Sequence, residues 1–261
     1  MSGMFLSVEV DSANFMIPRG IALLSKGPLA KHQDIHQICT FFRQRGIASL
    51  LLEGTAEAYF VNAMQSASAY VMELRRTPDE AKVTSFSRPL QDAMSIGDWY
   101  TAQEIARLSR TTWNPDYEYE DDFLYIRFWH HLLLNASTTE IEATLARYQE
   151  VIGVHADVRL DVCRGLYEPD EGGFDTALRA LLNERKAKVD DLVGRTVIPE
   201  EQGSWIQHFA LEGVALLKLA ERRGLHPGPG YLHCPDIVRS ESPFVHDPNA
   251  WMQVDYIPRR K

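Results

Sequence analysis

Apolar residues recur three and four positions apart along most of this chain, and that spacing limits the fold more than any other feature. From Thr55 to Arg76 the apolar positions are Ala56, Tyr59, Phe60, Ala63, Met64, Ala67, Tyr70, Val71 and Leu74. At about 3.6 residues per turn they form one stripe that must be buried against another element. Ile35, Ile38, Cys39 and Phe42 repeat the pattern, and Gly46 is expected to end that helix after Arg43 and Arg45. Asp98 is the expected N-cap of a helix reaching Leu108. Asn114-Pro115 marks a break, with Pro115 placed where the next helix, running through Leu134, can begin. Ser137-Thr138-Thr139-Glu140 fits a capping box ahead of Ile141, Leu145, Tyr148 and Ile152. Phe174, Ala177, Leu178, Leu181 and Leu182 mark a further helix, and Gly203-Ser204-Trp205 reads as a helix start. Ile206, Phe209, Ala210, Gly213, Val214, Leu217 and Ala220 mark the last strong helix, closed by Gly224. Only Met4 to Val10 and Lys82 to Phe86 suggest short strands.

The expected fold is therefore all-α. It is an irregular stack of helical hairpins, loosely tetratricopeptide-like but without that repeat's strict period. Beyond Gly224 the chain is rich in proline and poor in periodic positions, which predicts an extended tail packed on the helices. A chain of 261 residues can bury a large core. One helical domain over residues 1–261 is expected, with 1–17 and 236–261 as peripheral extensions.

Charge and cysteine content narrow the function classes. A net charge of -9 argues against nucleic acid as a direct ligand, because neutralising phosphates requires a surplus of lysine and arginine. It suits cationic partners and is also an ordinary solubility charge. Cys39, Cys163 and Cys234 are odd in number and widely spaced, which is no disulfide framework and fits a reducing cytoplasm. The first 18 residues carry Glu9 and Asp11 and do not read as a secretory signal. No stretch approaches the roughly 18–20 apolar residues of a membrane span, so no membrane partner is expected.

Candidate sites are few. His32, His36 and Cys39 have helical spacing compatible with zinc, but no fourth ligand is evident and Cys39 continues an apolar stripe. His226, His233, Cys234 and His246 lie in the tail with no recognisable ligand spacing. His130 and His131 diverge by about 100° on a helix and cannot converge on one ion. The chain has no Gly-x-Ser-x-Gly elbow, no Walker loop and no dinucleotide fingerprint. Gly224 to Gly230 is glycine-rich, but two prolines remove the backbone donors of a phosphate cradle. The expectation is a protein without catalytic residues, metal or cofactor.

The window Asp116-Tyr117-Glu118-Tyr119-Glu120-Asp121-Asp122 stands apart. Five carboxylates can steer a cationic surface, and two tyrosines offer contact area at low entropy cost. The same acids could complement a helix dipole as a solvated first turn, or gather a metal ion. Trp99 and Trp113 flank the region, while Tyr117, Tyr119, Tyr125 and Trp129 could equally belong to the core.

Arg45-Gly46-Ile47-Ala48, Gly97-Asp98, the segment Asn114 to Phe123, Arg159-Leu160-Asp161-Val162-Cys163 and the segment Glu212 to Glu221 occur in an order that resembles the immunity protein 49 family. The resemblance spans about residues 20 to 235. It implies a cytoplasmic, mainly helical immunity protein of a bacterial polymorphic-toxin system, often one linked to type VI secretion. Such a protein binds a cognate toxin domain, encoded by an adjacent gene, and blocks it. The resemblance supplies no catalytic residues. The binding face is expected at Asp116, Tyr117, Glu118, Tyr119, Glu120, Asp121 and Asp122, against a basic toxin, attractively a nuclease. The alternatives are a helical adaptor for an endogenous protein and a metal-dependent hydrolase.

Overall fold

Helices form wherever the three/four spacing lets one face be buried, and the computed structural model describes them over residues 2–27, 32–198 and 205–261. The side chains of residues 2–4, 32 and 33 lie outside that description. In chain order the helices are α1 (Ser2–Ser25), α2 (His32–Glu53), α3 (Glu57–Arg76), α4 (Arg88–Ser95), α5 (Trp99–Leu108), α6 (Glu120–Leu134), α7 (Thr138–Ile152), α8 (Val158–Tyr167), α9 (Glu171–Gly194) and α10 (Leu211–Arg222). The described residues form no strand; one isolated antiparallel bridge joins Phe244 and Arg260. The fold is all-α. No helix among the described residues is long and apolar enough to cross a membrane.

Successive helices pack as neighbours: α1 on α2, α2 on α3, α6 on α7, α8 on α9. α10 breaks that order by packing chiefly on α4. One hydrophobic cluster runs through the molecule, from Leu6 to Trp251, with Trp129, Tyr148, Phe128, Phe174 and Phe209 among its fully buried side chains. Within residues 236–261, the turn Asp236–Arg239 packs on α10. The tail's second 3-10 turn, Ala250–Met252, buries Trp251 completely and packs on α3.

The local signals hold in several places. Asp98 caps α5 by accepting from the Thr101 amide at 3.1 Å. Ser137 and Glu140 complete the capping box of α7 in both directions. Gly224 follows α10 with φ of 85°.

Other expectations are corrected. Met4 to Val10 is part of α1, where Leu6, Glu9, Ala13, Ile17, Gly20 and Leu24 fall on one buried face. A few alternating apolar residues cannot outweigh a full-length stripe packed on α2. Lys82 to Phe86 is a turn, tied by the Thr84 hydroxyl to the Arg110 carbonyl at 2.7 Å. Gly46 does not end α2. It lies inside the helix where α3 comes closest, and a Cβ there would sit 2.8 Å from the Asn62 Cβ and 3.3 Å from the Tyr59 Cα. Helix α6 begins at Glu120 rather than near Pro115. The last helix starts at Leu211, with a separate turn at residues 205–208 before it. The Gly203-Ser204 part of the expected helix start lies outside the described residues.

α8 and α9 meet with almost no room between their backbones. A Cβ on Gly165 would lie 2.8 Å from the Phe174 Cα and 2.9 Å from its amide nitrogen. Backbone cannot step aside as a flexible side chain can. Gly165→Ala is expected to cost about 1–3 kcal/mol, read as a lower midpoint in urea unfolding. An unchanged midpoint would mean the two helices are less tightly coupled than their geometry states.

Candidate functional site

The acidic and aromatic window divides into two parts with different structural duties. Its first part is a loop fixed from below. The Trp113 indole donates to the Glu118 carbonyl at 2.9 Å, and the Asn114 side-chain amide donates to the Glu80 carbonyl at 3.1 Å. The Glu118 carboxylate accepts from the Ser85 amide at 2.7 Å and the Asn114 amide at 3.3 Å. Glu118 is therefore turned inward, only 8% exposed, and clamps the loop to the α3–α4 connection. Among the seven candidate contact residues 116–122 it is the one buried side chain. On the outside of this clamp Tyr117 is 67% and Tyr119 78% exposed, beside exposed Asp116. These three side chains make no hydrogen bond within the described residues.

The second part is the first turn of α6. Glu120, Asp121 and Asp122 complement the helix dipole there and also bind arginines from neighbouring elements. Arg147 of α7 bonds Glu120 at 2.8 and 3.0 Å and Glu150 at 3.1 Å. Arg159 of α8 reaches Asp122 at 2.6 Å, Asp121 at 2.9 Å and Asp157 at 2.9 Å. Five carboxylates thus share two guanidiniums, so the cluster stays anionic while stapling α6 to α7 and α8.

Asp122, Tyr125 and Arg159 also stand on the wall of a cavity of about 800 Å³. α2, α4, α6, α9 and α10 supply its other walls. The Tyr125 hydroxyl donates to Glu212 at 2.8 Å inside it. Burial raises the Glu212 carboxyl above the ordinary carboxylate range, against the pull of that hydrogen bond and of nearby arginines. Sequence reading missed this cavity. Its walls come from six separated stretches, and no short motif joins them.

The metal candidates do not converge. Cys39 donates to the Ser66 carbonyl at 3.3 Å, and burial pushes its thiol up to about 12. His36 packs on Phe86, and the His32 side chain lies outside the described residues. In the tail, Cys234 is buried under Gly213 and its thiol is pushed up to about 12 by burial. His246 Nδ1 pairs with Asp98 at 2.9 Å, bolting the tail to the start of α5. Among the described residues no three histidine, cysteine or acidic side chains are grouped to hold an ion. Burial raises the Cys163 thiol as well, so all three cysteines are held in the inert protonated form.

The motifs behind the resemblance are structural joints. Arg45 ties α2 to Asn62 and Gln65 of α3 at 2.7 and 2.9 Å and to the tail carbonyl of Val254 at 2.9 Å. Arg159 is the hub of the acidic cluster, and Gly213 lets α10 close on Leu182 and Cys234.

Compared with known families, the chain matches the one described as Immunity protein 49 over residues 34–235. Neither the curated proteins nor the solved structures compared with it gave a match.

Proposed function

The chain belongs to the immunity protein 49 family, and from that premise we propose that it binds and neutralises a cognate bacterial toxin domain by occluding the toxin's active site. The observation that carries the reading is the clamped loop holding Tyr117 and Tyr119 out to solvent. A tyrosine displayed on a rigid loop loses little entropy on binding, which is the property of an interface anchor. Asp116 and the partly neutralised acidic cluster beside it favour a basic partner and set the rate of encounter. A nuclease-type toxin fits this chemistry, since its cleft must be cationic to hold phosphate. The setting would be the cytoplasm of a cell that carries the toxin in an adjacent gene, with type VI secretion as the delivery route.

The test is binding to, and protection from, the toxin domain encoded next to this chain. Tyr119→Ala is expected to speed dissociation and weaken binding by about 2 kcal/mol or more, while changing stability by less than about 0.5 kcal/mol. Asp116→Lys should slow association and flatten its dependence on salt, because an exposed charge acts over a Debye length of about 8 Å. Glu118→Lys is a different variant in kind. It buries a cation where two backbone amides need an acceptor, and should loosen the loop. If folded Tyr119→Ala and Asp116→Lys proteins bind and protect like the parent, the binding face is elsewhere.

A further inference from the structure

The cavity beside the loop holds two arginines that form no ion pair within the described residues. Arg43 is consumed by Asp92, at 2.8 and 2.5 Å, and Arg159 by three aspartates. Arg185 is different. Its Nη2 donates to the main-chain carbonyls of Ile206 and Phe209 at 2.5 and 2.6 Å, and its Nη1 is buried with no partner. Arg88 lines the same space, is exposed, and makes no hydrogen bond or ion pair within the described residues. Partial desolvation and the repulsion of Arg43 and Arg185 lower the Arg88 pKa, against the pull of Asp92 and Glu212. Of the carboxylates on its walls, Asp122 and Asp157 pair with Arg159, Glu212 accepts from Tyr125, and Glu184 is exposed. Around this polar centre the walls are apolar, with Ile47, Ile126, Leu181, Val189 and Phe209.

The open guanidinium of Arg88 and the free Nη1 of Arg185 suit a carboxylate, which accepts two parallel N–H bonds from one guanidinium. Apolar walls suit the residues flanking that carboxylate. A free anion would have to approach a protein of net charge -9. A carboxylate carried by a partner already docked on the adjacent loop arrives at high effective concentration instead. We infer that the cavity receives an acidic residue on an apolar segment of the bound toxin, seated between Arg88 and Arg185. This rests on the reading that the chain binds a toxin. It adds a second point of contact: the acidic loop meets a basic surface, while the basic cavity takes an acidic side chain. Such an inverted charge pair fixes orientation and excludes toxins that carry only the basic surface.

The experiment uses the full chain and the toxin domain encoded beside it. Arg88 is exposed and forms no hydrogen bond within the described residues, so Arg88→Gln should fold normally, with thermal unfolding as the control. The expected result is binding weakened roughly thirtyfold or more by Arg88→Gln, mainly through faster dissociation, and partly restored in Arg88→Lys. Complex formation should also protect amides of residues 181–189 and 211–214 from hydrogen exchange. If the parent itself does not bind, the immunity reading and this inference fall together. If the parent binds, Arg88→Gln binds as tightly and the cavity walls gain no protection, the inference falls alone and the loop remains the interface. Titration of the free protein with inorganic phosphate is the third arm. Tight phosphate binding that Arg88→Gln abolishes would overturn the inference by assigning the cavity to a free anion.

Discussion

Asp92→Ala is expected to destabilise the folded protein by about 3–5 kcal/mol. Arg43 and Asp92 form a bidentate pair whose side chains are 2% and 0% exposed. Asp92 also accepts from the Ser66 hydroxyl at 2.5 Å, so one carboxylate joins α2, α3 and α4. Removing it leaves the Arg43 guanidinium buried beside Arg88 with no counter-charge. The cost is set by that stranded cation rather than by the strength of the pair. A double replacement, Arg43→Met with Asp92→Leu, removes both charges and should recover much of the loss. Chemical unfolding of the single and double variants checks this. A single variant that loses less than about 1 kcal/mol would show that water or a rearranged Arg43 relieves the charge. The same joint forms part of the cavity wall, so the single variant should also weaken any partner seated there.

The second large effect is on acid stability. His130 is fully buried in α6 with its Nδ1 unpartnered, and burial, aided by Arg127 and His131, lowers its pKa to about 3. In the unfolded chain the same imidazole titrates near about 6.5. Between those values the unfolded state binds a proton that the folded state refuses, so stability rises with pH across the window. The contribution is complete above about pH 6.5 and is lost as pH falls toward about 3, at up to about 1.4 kcal/mol per pH unit. The loss begins before carboxylates with ordinary values near about 4 are protonated. It can therefore be separated from acid breakage of ion pairs such as Asp157–Arg159. His130→Phe should flatten the stability profile between about pH 6 and 4.5 while leaving the neutral-pH value similar or higher. A parent and variant with parallel profiles would show that His130 gains its proton without unfolding.

The proposed binding loop shows how far residue types reach as a guide to side-chain placement. Five acids and two tyrosines marked the window as a candidate face, and Tyr117 and Tyr119 within it are exposed. Glu118 did not follow its neighbours, because its carboxylate closes hydrogen bonds to Ser85 and Asn114 inside the fold. Charge at a position states what a side chain can do; its partner decides what it does. Arg147 and Arg159 lie more than twenty residues from Glu120, Asp121 and Asp122 in sequence, and no local pattern couples them.

Sequence alone determined the helical class, most of the helix faces and the caps at Asp98 and Ser137, since these depend on contacts within a turn or two. The family was legible for a related reason. Its motifs mark joints such as Arg45-Gly46 and Glu212-Gly213, where chemistry and space leave few residue choices. Tertiary structure decided the rest. It made Met4 to Val10 helical by packing α1 on α2, and turned Gly46 from a stop into a contact point. It also assembled the cavity from six separated stretches and left Arg88 and Arg185 there without an ion pair among the described residues. Burial and charge pairing act through space between residues far apart in the chain, and a one-dimensional pattern carries no record of which of them meet.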